Sequence, residues 1–147
     1  MATVTAFFII NKAGGLIYQY IAHNNSIKKN EKCSTIDLCL NDKNFLLSHK
    51  TNDLLRLLSH LHTCTELAVS LFTDIRQCRI KSTNYEIVIR KNLTGYTFVY
   101  VINNMMDFEL IANLVDQAFN SFVLADPCYI EDMAITNVLF RPDRHFS

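Results

Sequence analysis

Apolar and polar positions alternate with two different periods along this chain. The first two apolar runs, residues 6–10 and 16–21, are rich in β-branched and aromatic side chains that suit a pleated surface. Asn11, Lys12, Ala13, Gly14 and Gly15 lie between them. Gly14-Gly15 supplies two positions where positive φ costs little, so the pattern predicts a hairpin. Residues 23–49 are the least regular stretch. Asn24-Asn25-Ser26 breaks structure, residues 28–32 form a short charged run that reads as a solvated loop, and Ile36, Leu38 and Leu40 alternate as in a short strand or a packed loop.

The period then changes. Leu54, Leu57, Leu58, Leu61, Cys64, Ala68, Leu71, Phe72 and Ile75 fall three or four apart, which predicts a helix over residues 51–75 with Thr51 or Asn52 at its cap. A thinner stripe, Leu55, His62 and Val69, lies off the main face and is either the flank of a wide buried face or a surface for another subunit. Residues 78–82 read as a short strand and residues 85–91 as a half-buried one. Leu93-Thr94-Gly95 turns the chain, and residues 96–102 return as a nearly continuous apolar run, expected of a central strand covered on both faces. Asn103-Asn104 with Asp107 predicts a second helix start. Its stripe is Phe108, Ile111, Ala112, Val115, Ala118, Phe119 and Phe122, and Pro127 ends it. Leu110 and Leu114 sit beside that stripe, placed to face a partner. Residues 128–141 are expected to pack as an extended piece or a short helix, Pro142 to stop them, and residues 143–147 to fray.

This order predicts an α+β domain over residues 1–147. A sheet of about five strands would carry the long helix on one face and the second helix with a short C-terminal element on the other. Hydrophobic residues make up 50% of the 147 and charged ones 19%, enough to fill a sizeable core and leave apolar surface for a partner. Fourteen basic residues balance fourteen acidic ones, so nothing marks a phosphate-tracking surface and no nucleic acid is expected as a ligand. Cys33, Cys39, Cys64, Cys78 and Cys128 are odd in number and scattered, which points to a reducing compartment and not to a disulfide framework. No targeting segment is visible, and no run approaches the roughly 20 apolar residues of a transmembrane segment.

Candidate chemistry is sparse. His60, His62 and Cys64 form the one metal-like cluster, but no C-x-x-C or H-E-x-x-H supplies the remaining ligands of a zinc site. Lys12-Ala13-Gly14-Gly15 lies between strands, whereas a phosphate loop must open a helix. Asp126-Pro127 and Glu131-Asp132 read as a helix end and a loop. No catalytic residue, cofactor or metal is expected; the residues describe a binding or scaffold domain.

Three stretches resemble one family. N-K-A-G-G-L-I-Y-Q at 11–19, L-T-G-Y-T-F-V at 93–99 and A-D-P-C-Y-I-E-D-M-A-I at 125–135 are similar to stretches of the synbindin subunits, sedlin-like small subunits of the TRAPP vesicle-tethering complex. The resemblance implies a longin-like (profilin-like) fold, a five-stranded antiparallel sheet between helices. It implies other small TRAPP subunits, longin-like and lipid-pocket types, as partners, and a Rab GTPase whose nucleotide exchange the assembled core promotes. It also implies a cytoplasmic protein peripheral to early Golgi and ER membranes, with no catalytic residue of its own. Other synbindins carry a PDZ-like module between the first hairpin and the long helix; here only residues 22–50 lie there, too few for such a domain. Where the family often has Phe-Asp near its last apolar stretch, this chain has Phe140-Arg141-Pro142. Two other readings stand beside this one: a longin module of an adaptor small chain or SNARE, and a small zinc- or thiol-dependent enzyme using His60, His62 and Cys64.

Overall fold

The computed structural model describes residues 3–21, 51–72, 76–81, 85–103 and 108–146. In chain order these form β1 (Thr3–Ile10), β2 (Leu16–Ile21), α1 (Thr51–Leu71), β3 (Gln77–Lys81), β4 (Glu86–Lys91), β5 (Thr97–Asn103) and α2 (Phe108–Phe119). A π-helical turn (Asn120–Leu124) extends α2, and a short 3-10 turn (Pro142–His145) lies near the C-terminus. The strands make one antiparallel sheet in the order β2-β1-β5-β4-β3. The most apolar strand, β5, lies at its centre. Between β2 and β3, at opposite edges, the chain runs through α1 across one face of the sheet.

Side-chain alternation divides the core into two layers. Ala6, Phe8, Ile10, Ile87, Ile89, Val99 and Val101 face α1 and bury Leu58 and Leu61. Phe7, Ile9, Val88, Phe98, Tyr100 and Ile102 face α2 and bury Phe108, Ala112, Val115 and Phe119. The second layer is aromatic. Phe7 stands at its middle, with ring centroids 4.8 Å from Tyr100, 5.3 Å from Phe146, 5.8 Å from Phe98 and 6.0 Å from Tyr18. Such tilted and edge-on pairs add to the free energy of burying their area. A bulge at Thr5 shifts the pairing from Val4↔Ile102 to Ala6↔Val101, which places Val4 on the α2 face with Phe7. This is the α+β, longin-like architecture expected from the sequence, with five antiparallel strands and a helix on each face.

Several details differ from the sequence reading. α1 ends at Leu71, and Ile75 lies outside the described residues. Within α1 the buried line runs Leu58, Leu61, Thr65, while Cys64 is exposed and Leu71 is 68% exposed. Thr65 tolerates burial because its hydroxyl donates to the Leu61 carbonyl at 2.8 Å. β4 is not half-buried: Ile87 and Ile89 lie under α1 and Val88 under α2, so only its ends are polar. In the second helix Val123 is buried where Phe122 was expected. The cause is the π-helical turn, in which the Ala125 N–H reaches back five residues to the Asn120 carbonyl. The wider turn rotates each residue less and moves the apolar register on by one.

Residues 128–141 form successive turns and neither a helix nor a strand. The tail does not fray. Phe146 is 2% exposed, packs on Phe7 and Tyr20, and its carbonyl accepts the Val4 N–H. The expected caps at Asn104 and Asp107, and everything read from residues 22–50, lie outside the described residues.

Candidate interaction surface

The first hairpin turn and the β4–β5 turn are two copies of one device. In each, an asparagine opens the turn and a glycine follows three residues later: Asn11 with Gly14, Asn92 with Gly95. Gly14 has φ 91° and Gly95 φ 90°, and Gly15 has no positive φ, so one left-handed glycine per turn suffices. Asn11 Oδ1 accepts the N–H groups of Ala13 (3.1 Å) and Gly15 (2.7 Å). Asn92 Oδ1 accepts those of Thr94 (3.2 Å) and Tyr96 (2.9 Å). Each side chain thus takes up main-chain donors that the turn leaves free.

Because β1 and β5 are antiparallel neighbours, the two turns emerge side by side. A methyl group added to Gly95 would sit 3.0 Å from Lys12 Cε, and one added to Gly14 3.1 Å from His62 Cδ2 on α1. Residues 129–133 close the group. Lys12 Nζ lies 3.1 Å from Glu131 Oε1, and Asn11 Nδ2 donates to the Asp132 carbonyl at 3.2 Å. Asp132 has φ 66°, the single positive-φ non-glycine residue among those described. The Tyr129 hydroxyl donates to the Met133 carbonyl at 3.1 Å. Burial, with a hydrogen bond to Tyr96, pushes its pKa well up. The three stretches that carry the family resemblance therefore meet at one end of the sheet. They expose Leu93, Ile130 and Met133 there. Behind them residues 121–139 curl around an open apolar groove of about 740 Å³, lined by Phe122, Tyr129, Ile135 and Leu139 among others.

The residues read from sequence as interface candidates fall on the two helices. Leu55 is 40% exposed on α1; His62 and Val69 are half-buried beside Leu58 and Thr65. Leu110 is 61% exposed on α2 and Leu114 half-buried. His60 and Cys64 are exposed, whereas His62 turns toward Gly14. Among the described residues no three His, Cys, Asp or Glu side chains gather as a metal site would require. The sequence reading missed the exposed Leu67 on α1, and Ile130, Met133, Val138 and Leu139. It also missed Asn11 as an organiser. The repeated Asn-x-x-Gly at both hairpin turns was the available signal.

A polar network ties α2 to the sheet. Arg90 reaches Glu109 (3.1 Å), Asn113 (3.3 Å) and Asp116 (3.4 Å). Burial raises the Asp116 carboxyl above its ordinary range, against the pull of Arg90. Tyr100, fully buried, is raised further by desolvation and by Asp116.

The model of the Sybindin-like family matches residues 4–144. Among solved structures, Myxococcus xanthus MglB resembles the chain with a TM-score of 0.49 and 11% sequence identity, over 80% of this chain and 78% of that one. No curated protein matches the sequence.

Proposed function

The chain belongs to the Sybindin-like family of longin-type trafficking proteins, and from that premise we propose that it is a scaffold subunit of a TRAPP vesicle-tethering core. In this role it joins other small longin-like and lipid-pocket subunits, and the assembled core promotes nucleotide exchange on a Rab GTPase in ER-to-Golgi transport. The observation that carries the reading is the family match over residues 4–144, which takes in both hairpins, α2 and the C-terminal turns. Docking of this kind would use the exposed apolar side chains on the helices, Leu55 and Leu67 on α1 and Leu110 on α2. Leu55, His62, Val69, Leu110 and Leu114 are the proposed contacts. The work is docking, cytoplasmic and peripheral to early Golgi and ER membranes. No helix among the described residues is long and apolar enough to cross a membrane.

Affinity isolation of the tagged chain from cell extract, with mass spectrometry of what accompanies it, tests the reading. Stoichiometric recovery of other small TRAPP subunits is expected. Recovery of clathrin-adaptor large chains in their place would contradict it.

A further inference from the structure

The apolar groove of residues 121–139 is held in shape by its own hydrogen bonds. Asn137 ties its walls together: the amide nitrogen donates to the Phe122 carbonyl at 2.7 Å and to Asp126 Oδ2 at 3.4 Å, and Oδ1 accepts the Leu139 N–H at 2.9 Å. Asp126 Oδ1 accepts the Cys128 N–H at 2.9 Å, and the Ile17 carbonyl of β2 accepts the Ile135 N–H at 3.0 Å. The π-helical turn completes one wall. It seats Val123 in the core and leaves Phe122 on the groove. Turns of this kind often stand at functional sites.

Phe122, Ile130, Met133, Val138 and Leu139 all line this groove and are all exposed, Val138 by 81%. Large apolar side chains gathered in water around one concavity mark an interaction site. The charge around them has one sign. Residues 121–139 hold three acids, Asp126, Glu131 and Asp132, and no lysine, arginine or histidine. Glu131 is paired with Lys12, whereas Asp126 and Asp132 have no ion-pair partner among the described residues. Arg141, the next base along the chain, is taken up by Asp143 at 3.2 Å.

We infer that this groove docks a short apolar segment of a partner protein that carries basic residues on its flanks. The apolar part covers Phe122, Met133, Val138 and Leu139, and the bases meet Asp126 and Asp132. A groove of about 740 Å³ falls within the roughly 300–1,000 Å³ of small-ligand sites, so it takes a few large side chains and not a whole domain. Walls that are already fixed lower the ordering cost of binding. The acids also decide against two other occupants. A second copy of the groove brings the same acids, and like charges set against each other disfavour the pair. An anionic bilayer is repelled for the same reason. This goes beyond the assembly reading, whose contacts lie on the helix faces.

The test titrates two short synthetic peptides into the full chain, followed by amide resonances. Both have the same leucine–valine core, flanked by lysines in one and by glutamates in the other. Saturable shifts at Phe122, Met133 and Leu139 are expected with the lysine peptide. The glutamate peptide should bind at least about tenfold more weakly, and added salt should narrow the difference. Val138→Asn with Leu139→Asn should abolish the response; Met133→Asn does the same should the first variant unfold. Asp132→Asn keeps a residue that tolerates the left-handed backbone and removes the charge, so it should weaken the lysine peptide alone. Still amides around the groove, an equal response to both peptides, or undiminished binding by the asparagine variants would overturn the inference. So would binding to neutral phosphatidylcholine vesicles with no response to either peptide, or self-association that the Val138 and Leu139 changes abolish. None of these outcomes touches co-isolation with small TRAPP subunits, so the two readings fail separately.

Discussion

Asn11 and Asp132 are joined across 121 positions of sequence by one hydrogen bond, from the asparagine amide nitrogen to the aspartate main-chain carbonyl at 3.2 Å. The same asparagine organises its own turn through the opposite atom, Oδ1. One nearly buried side chain thus fixes the first hairpin and fastens the C-terminal turns to it. Asn11→Ala is expected to cost about 2–3 kcal/mol, since several main-chain groups lose their partner at once. Asn92→Ala breaks the twin turn and no bond to the C-terminal turns, and is expected to cost roughly half as much. Urea melts of the two variants check the ratio.

Asp132 holds its left-handed backbone against the preference of any side chain with a Cβ. Asp132→Gly is therefore expected to be more stable than Asp132→Ala by about 1 kcal/mol. Thermal unfolding of the pair measures this.

Phe146→Ala is expected to destabilise by about 3–5 kcal/mol, as in other large-to-small core changes. Its ring lies against Phe7 and Tyr20 at centroid distances of 5.3 and 5.2 Å. A cost near zero in denaturant titration would mean that the tail frays after all.

Burial raises the Asp116 carboxyl above its ordinary 3.8; Arg90 opposes the shift and Glu109 adds to it. The folded chain therefore keeps this proton to higher pH than the unfolded chain. The stabilisation that accompanies the proton is present below the unfolded pKa and is lost as pH rises through the folded one. The stability of wild type relative to Asp116→Asn should accordingly fall as pH rises from below the ordinary carboxyl value through the raised, folded one. A difference that is flat or rises over that range would place the carboxyl at or below its ordinary value.

Much of this fold was legible because strands announce themselves locally. The run at 97–102 is apolar without a break, and a strand of that kind has to be covered on both faces, which made it central. The helices were legible in outline and misread in detail. Cys64 and Thr65 differ little in size, so the stripe did not say which of them the helix turns inward; Thr65 lies there with its hydroxyl bonded to the Leu61 carbonyl, which makes its burial tolerable. The π-helical turn leaves no pattern in the residues, so the exchange of Phe122 for Val123 was hidden. The tail was misjudged because charged residues surround Phe146, and its site is assembled from β1 and β2 far away in sequence. Interfaces are the least legible of all. A leucine on a helix flank, such as Leu55, reads the same whether it meets the sheet, water or another protein.

The central claim is that this chain works by docking through its helix faces. Leu55 and Leu110 lie exposed on opposite sides of the sheet, so charges there should leave the fold intact. The most direct measurement compares wild type with a Leu55→Glu/Leu110→Glu variant for co-assembly with small TRAPP subunits by size-exclusion chromatography, with circular dichroism as the control for folding. Wild type should enter the complex, and the variant should elute as a folded, unassembled chain. A wild-type chain that stays alone, or a variant that joins with undiminished affinity, would contradict the account.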